Sequence, residues 1–150
     1  MIYPHGDIEK IGSDAFMVRG SIKINPLMRI SRNMGIIREE NELTLINPIR
    51  LNKKTEEKLK DMGEVKNIIR LGAFHGVDDP YYVNNFKAQF WSQPGGTTYN
   101  EPILDIEIGM GGLTPVHNSE FFHFQGTNQP ECALPVSYTH LRAHETREDR

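Results

Sequence analysis

The middle of the sequence alternates strand patterns with helix patterns, and this order narrows the folds that the chain can adopt. Short segments rich in β-branched and other apolar residues lie at residues 43–47, 65–71 and 88–92. Segments with a helical pattern lie between them, at residues 53–62 and 80–86. Because a helix that joins two strands of one sheet covers a face of that sheet, this order predicts an α/β layered domain.

The first of the two helices has a signal at each end. Asn52 is a residue type that caps helix N-termini, and Gly63 is the residue type that most often follows a helix C-terminus. Between them the segment is mostly charged, with Leu59 and Met62 as an apolar stripe three positions apart. The pattern predicts a surface helix that packs through one narrow face.

Further strand patterns flank this central region. Residues 15–24 have the pattern of a strand, and residues 32–38 form a second one, which the polar run at 39–42 connects to the next strand as a hairpin. After the central region, residues 103–108 and 120–124 are predicted as later strands.

Length, charge and cysteine content exclude several classes of protein. With 150 residues the chain has room for one domain, and its net charge of −3 gives no electrostatic reason to expect nucleic acid or a membrane as partner. No segment approaches the roughly 20 apolar residues needed to span a bilayer, and residues 1–7 lack the pattern of a signal peptide. The single cysteine, Cys132, excludes an intrachain disulfide, so we expect a cytoplasmic location.

The last residues of the chain differ in kind from those before them. From Val136 the chain reads Val-Ser-Tyr-Thr-His-Leu-Arg-Ala-His-Glu-Thr, which resembles the translation of a sequencing-library adapter. A natural helical tail is the alternative, because residues 141–148 include good helix formers. We interpret residues 135–150 as a non-native tail, and His140 and His144 are therefore excluded from the candidate metal ligands.

Three phrases of the sequence carry a resemblance to a known family: Arg32-Asn33-Met34, Leu-Thr-Leu-Ile-Asn-Pro-Ile-Arg-Leu at residues 43–51, and Gly-Ala-Phe-His-Gly at residues 72–76. With the strand and helix before the last phrase, they resemble the metallo-β-lactamase superfamily, more narrowly an uncharacterised branch of it. The resemblance runs from about Asp14 to about Ala133. It implies an α/β fold, an αββα sandwich that is incomplete here. Residues 1–13 would be an N-terminal extension, and residues 14–134 the truncated, N-terminal part of the domain.

The same resemblance implies where a metal site would lie. Members of the superfamily hold one or two zinc or iron ions through the motif His-x-His-x-Asp-His, and the metal makes a bound water acidic enough to supply hydroxide. Here the motif would begin at His75 and place Asp79 at its aspartate. Val77 and Pro80 stand at the other two histidine positions, and Thr127 stands where a later loop supplies a further histidine. The resemblance thus implies at most one zinc or iron ion, held by His75 and Asp79.

A structural role for these residues is the alternative. Asp79 precedes a proline and would make a good helix N-cap, and His75 could hydrogen-bond the carbonyls of its own loop. If a metal does bind, Asp78 lies beside the pair, and Glu131 or His123 could approach from the second half of the domain. Elsewhere, the glycine-rich runs at 93–97 and 109–112 lack the features of a nucleotide-binding loop, so no organic cofactor is expected.

Three interpretations of function follow from the sequence. The chain is a hydrolase-like protein that acts on a small molecule through a reduced metal site, or a non-catalytic member of the fold that binds a small ligand or a protein partner. The loss of ligands at Val77, Pro80 and Thr127 favours the second interpretation. The third is that the chain as it stands is an inactive fragment. The sequence itself identifies no catalytic residue and no oligomeric state.

Overall fold

The computed structural model describes residues 1–72, 76–92, 105–108, 114–117, 119, 122–123 and 132–135. Within these residues the chain forms a seven-stranded mixed sheet, two α-helices and a separate two-stranded sheet.

The first four strands of the large sheet form an antiparallel meander. They are β1 His5–Lys10, β2 Ala15–Asn25, β3 Met28–Glu39 and β4 Glu42–Ile46, and each pairs with its neighbour in sequence. The long β2–β3 hairpin turns within a few residues, and the Asn25 side chain closes the turn by accepting a hydrogen bond from the Leu27 N–H at 2.9 Å. Such a bond from an asparagine side chain to the N–H two residues on is typical of tight turns.

Three more strands extend the sheet beyond β4, and all of them run parallel to it. They are β5 Glu64–Arg70, β6 Gln89–Ser92 and β7 Ile106–Glu107. The helix α1 Lys53–Met62 crosses from β4 to β5, and α2 Asp79–Phe86 crosses from β5 to β6. This arrangement confirms the α/β order predicted from the sequence. The strands β8 Phe122–His123 and β9 Cys132–Ala133 form the separate antiparallel pair.

The helix α1 has the bounds that its end signals predict. The Asn52 side chain accepts a hydrogen bond from the Thr55 N–H at 2.9 Å, which satisfies one of the free N–H groups of the first turn. Gly63 ends the helix where the chain passes close to the Asn41 carbonyl. A Cβ atom at this position would lie 2.6 Å from the Asn41 oxygen, so only glycine fits without a shift of the backbone.

The sheet is buried on both faces near its centre, as parallel strands in α/β folds usually are. On one face Ile68 packs with Leu59 of α1 and Tyr82 of α2, within a larger cluster that includes Phe90. On the other face its neighbour Ile69 packs against Trp91 and Ile108. Because successive strand residues point to opposite faces, the run Ile68-Ile69 supplies one side chain to each layer.

The structure also differs from the sequence-based expectations in places. Residues 5–10, within the segment predicted as an extension, form β1 and pair with β2. The pattern gave no sign of this edge strand because its side chains are mostly polar and exposed. β3 begins at Met28 rather than at Arg32, since the hairpin pairing continues to the turn. Residues 136–150 of the predicted tail lie outside the described residues. No helix in the described part of the chain is long and apolar enough to span a membrane.

Candidate functional site

Leu71 and Gly72 follow β5 at the carboxyl end of the parallel strands, and Asn47 holds the start of this segment in place. Asn47 follows β4 and has a positive φ of 50°, which asparagine tolerates better than most residues. Its N–H donates to the Ile69 carbonyl at 2.8 Å, and its side-chain oxygen accepts from the Leu71 N–H at 2.7 Å. The end of β4 therefore fixes where the chain leaves β5.

A pocket of about 300 Å³ lies between residues 76–77 and the β2–β3 hairpin. Most of its lining is apolar, and these residues come from three places in the chain: Ile22, Ile24, Ile30, Pro48, Ile49 and Val77. Ser31, Arg32, Asn47 and Gly76 complete it. An apolar concavity with a few polar groups is the usual form of a small-molecule site.

The hairpin leaves several apolar side chains of this pocket in contact with solvent. Ile22 and Ile30 are directly paired across the hairpin, so they stand side by side on one face. Ile24 is 55% exposed, Ile30 47% and Val77 42%. The pocket is thus an open apolar site whose lining would lose water contact on binding a ligand.

Arg32 lies in the pocket wall and is already paired. Its guanidinium is 2.7 Å from the Asp78 carboxylate, and both side chains are nearly buried. The same Asp78 oxygen accepts a hydrogen bond from the Arg50 N–H at 2.9 Å. The pair therefore joins β3 to the segment before α2, and it gives this wall no net charge.

Asp79 forms a second ion pair, deeper in the protein. Its Oδ2 atom is 2.7 Å from Nε of Arg70, the last residue of β5, and both side chains have almost no exposure. Burial raises the pKa of the Asp79 carboxyl to about 6, although the Arg70 guanidinium acts to lower it. At pH 7 the carboxylate is therefore mainly ionised. Its other oxygen, Oδ1, has no hydrogen-bond partner among the described residues.

The position of Asp79 corrects the prediction that it caps the helix. α2 begins at Asp79 itself, and the N-cap is Asp78, whose side chain makes no capping hydrogen bond. The Asp78 side chain does not cap the helix because its carboxylate is bound by Arg32 and by the Arg50 N–H. Both ion pairs were missed from the sequence. The available signal was Arg70 itself, a charge at the end of an apolar strand, since a buried arginine requires an anionic partner.

The described residues do not supply the ligand set of a metal centre. No group of three or more His, Cys, Asp or Glu side chains comes together in this part of the chain. Asp79 offers one oxygen, beside a buried guanidinium, and Val77 and Pro80 offer no donor. His75, Thr127 and Glu131 lie outside the described residues, so the predicted pairing of His75 with Asp79 stays a prediction.

Other residues considered from the sequence have clear positions. Phe90 and Trp91 are buried in the core. The His117 side chain is 91% exposed, and its Nδ1 atom is 3.0 Å from Glu39. The side chains of His123 and Cys132 lie outside the described part of the chain.

We compared the chain with protein families, with curated proteins and with solved structures, and only the solved structures match. No protein-family model matches the chain, and no curated protein matches it. Solved structures do match: a metallo-β-lactamase from Pontibacter korlensis is 11% identical, with a TM-score of 0.64 over 87% of this chain and 66% of that one. A metallo-β-lactamase from Erythrobacter litoralis is 11% identical, with a TM-score of 0.63 over 91% and 64%.

A third structure is the metallo-β-lactamase FIM-1 from Pseudomonas aeruginosa in its mono-zinc form. It is 6% identical, with a TM-score of 0.60 over 90% of this chain and 66% of that one. The chain spans just under two thirds of the length of these three proteins. Sequence identities this low carry information about the fold alone. Over most of its length, the chain has the fold of the metallo-β-lactamases.

Proposed function

We propose that this chain binds a small, uncharged and largely apolar molecule in the pocket between the β2–β3 hairpin and the segment before α2. The observation that carries the proposal is the exposed apolar lining, which includes Ile24, Ile30 and Val77. A ligand that covers these three half-exposed apolar side chains removes them from water, and this makes the free energy of binding more favourable. Of the interpretations open to the sequence, this one corresponds to a non-catalytic member of the fold that binds a small ligand.

The charge of the pocket wall supports an uncharged ligand. Arg32 is the cation of the lining, and Asp78 neutralises it at 2.7 Å. A ligand carboxylate would have to compete with Asp78 for the guanidinium and would meet the Asp78 charge at close range. A neutral ligand avoids both costs. The volume of about 300 Å³ lies at the lower end of the range for small-molecule sites.

A metal-dependent hydrolase with a reduced site is the second candidate, and one observation favours it. The Oδ1 atom of Asp79 is buried and has no hydrogen-bond partner among the described residues. A single zinc or iron ion held by this oxygen and by His75 would satisfy it. One of the fold neighbours is described in a mono-zinc form. This candidate requires the ion to lie close to the buried Arg70 guanidinium, which opposes binding.

Binding of the neutral fluorescent probe N-phenyl-1-naphthylamine tests the first candidate. Ile30→Asp places a charge in the pocket lining, and Met28→Asp is the matched control, because Met28 is 51% exposed on the same hairpin and does not line the pocket. We expect Ile30→Asp to raise the Kd of the probe at least about tenfold, since a charge in an apolar site costs more than 1.4 kcal/mol. Met28→Asp should change it less than about twofold.

Two results would count against the proposal. Equal loss of probe binding in both variants would show that the probe reports general hydrophobicity of the hairpin. No saturable binding to the unsubstituted chain would reject the pocket as a site for neutral ligands. The second candidate is tested by metal analysis of the chain purified in the presence of zinc. One tightly held zinc per chain, lost in His75→Ala, would favour the hydrolase.

A further inference from the structure

The buried ion pair at the start of α2 occupies the position where the resemblance to the metallo-β-lactamases puts a metal ligand. Asp79 aligns with the aspartate of the metal motif, and Nε of Arg70 lies 2.7 Å from its Oδ2 atom. The two side chains have relative exposures of 0% and 1%. The carboxylate is therefore already balanced by a positive charge that the chain itself provides.

We propose that the Arg70 guanidinium takes the place of a metal cation at Asp79, so that residues 76–79 at the start of α2 keep their position without a metal ion. An arginine bound to a buried carboxylate provides one positive charge and directional N–H donors. A metal ion on Asp79 would put a second cation beside the buried guanidinium, where the low dielectric makes their repulsion strong. The two ways of neutralising Asp79 therefore compete with each other.

The surroundings of Arg70 are shaped to hold a guanidinium. Gly76, in the segment that follows β5, packs directly on it. A Cβ atom at Gly76 would lie 2.4 Å from Nε and 2.5 Å from Cζ of Arg70, so any other residue there would collide with the guanidinium. The Arg70 Cζ atom also lies 5.0 Å from the centroid of the Phe90 ring, a favourable cation–π distance. A glycine, an aromatic ring and a carboxylate together enclose the cation.

The preceding residue, Asp78, is also held by an arginine. Asp78 is held by Arg32 of β3 at 2.7 Å, and it also accepts the Arg50 N–H. Two consecutive aspartates are thus bound by guanidinium groups from two different strands. Since the Asp78 side chain does not cap α2, these contacts are what ties the start of the helix to the sheet. The proposal concerns stability and metal independence, and it does not depend on the ligand proposed above.

Thermal unfolding with and without zinc tests the proposal on the full chain. We expect the Tm of the unsubstituted chain to be the same in EDTA and in excess zinc chloride, because no metal contributes to the folded state. Arg70→Met should lower the Tm by roughly 10 °C, and Asp79→Asn should lower it by less, because burial already opposes the charge of this carboxylate. The double variant should lose clearly less than the sum of the two, because each single change leaves the other partner buried and unpaired.

The control variant is Lys66→Met, which removes an exposed ion pair with Glu64. Its Tm should change by less than about 2 °C, since exposed pairs contribute little. The proposal is overturned if zinc raises the Tm of the unsubstituted chain and Asp79→Asn abolishes that increase. Additive losses in the double variant would also overturn it. If Arg70→Met does not fold, the comparison of zinc with EDTA on the unsubstituted chain still decides. Failure of probe binding with these results intact would reject only the proposed ligand site.

Discussion

The close contact between Gly76 and Arg70 gives the sharpest quantitative prediction. In Gly76→Ala the new Cβ atom would begin 2.4 Å from Nε of Arg70, whereas ordinary van der Waals contact begins near 3.4 Å. The guanidinium would have to retreat by about 1 Å. It has no free space for this, because Asp79 binds it at 2.7 Å and the Phe90 ring packs on it. A shift of the guanidinium by this amount would disturb the geometry of its hydrogen bond to Asp79.

The expected cost follows from two terms. A hydrogen bond between charged groups contributes about 1.5–3 kcal/mol, and overpacking a buried site costs about 1–3 kcal/mol. Gly76→Ala should therefore lower the free energy of unfolding by about 3–5 kcal/mol and the Tm by roughly 10 °C. Urea denaturation followed by far-UV circular dichroism measures the first quantity, and a thermal scan measures the second.

Two further variants separate the collision from a general effect of alanine. Gly35→Ala is the matched control, because a Cβ atom at Gly35 of β3 would meet Ile46 at an ordinary 3.5 Å. It should cost less than about 1 kcal/mol. In an Arg70→Ala background the obstacle is gone, so Gly76→Ala should then have little further effect. A loss of the same size in both backgrounds would refute the reasoning, as would a Gly76→Ala chain as stable as the unsubstituted one.

Three more predictions rest on single contacts. Asn52→Ala removes the side-chain cap on the Thr55 N–H and should cost about 1 kcal/mol in urea denaturation; an unchanged midpoint would contradict it. Leu59→Ala empties the fully buried apolar position of α1 and should cost about 3 kcal/mol in the same assay, whereas a cost below 1 kcal/mol would show that α1 hardly packs. The folded-state pKa of Asp79, about 6, is above its ordinary 3.8, so the folded chain binds the extra proton between these values. The stability that this carboxyl contributes is complete below pH 3.8 and is lost as the pH rises to about 6; in Asp79→Asn that part of the pH dependence should disappear, and parallel pH profiles of the two chains would contradict the assignment.

The sequence predicts well those parts of the fold in which local pattern and tertiary packing agree. The bounds of α1 follow from Asn52 and Gly63 because both residues act within one turn of the helix. The parallel strands are predictable because each has a short apolar core, such as Ile68-Ile69 in β5 and Phe90-Trp91 in β6, that is buried in the sheet. β1 could not be predicted, because this edge strand has no fully buried residue and its one large apolar side chain is Ile8.

The candidate site was less predictable because its residues meet only through the topology. Arg32 and Asp78 are far apart in the sequence and come together because the β2–β3 hairpin and residues 76–77 line the same pocket. Arg70 and Asp79 are nine positions apart, across a turn and into a helix, and no periodicity pairs such positions. The resemblance implied that Asp79 is a metal ligand, but it carried no information about Arg70 as its partner.

The sheet changes at β4 from antiparallel to parallel pairing, and this affects the order in which its strands can assemble. The hairpin of β2 and β3 can start from Asn25 and Met28, three positions apart, and then add one pair at a time outward. The first pair between β4 and β5 joins Glu42 to Glu64, which requires the whole crossover segment to be closed at once. The meander can therefore grow while the chain is still emerging from the ribosome, and it presents β4 as a finished template on which the later strands align.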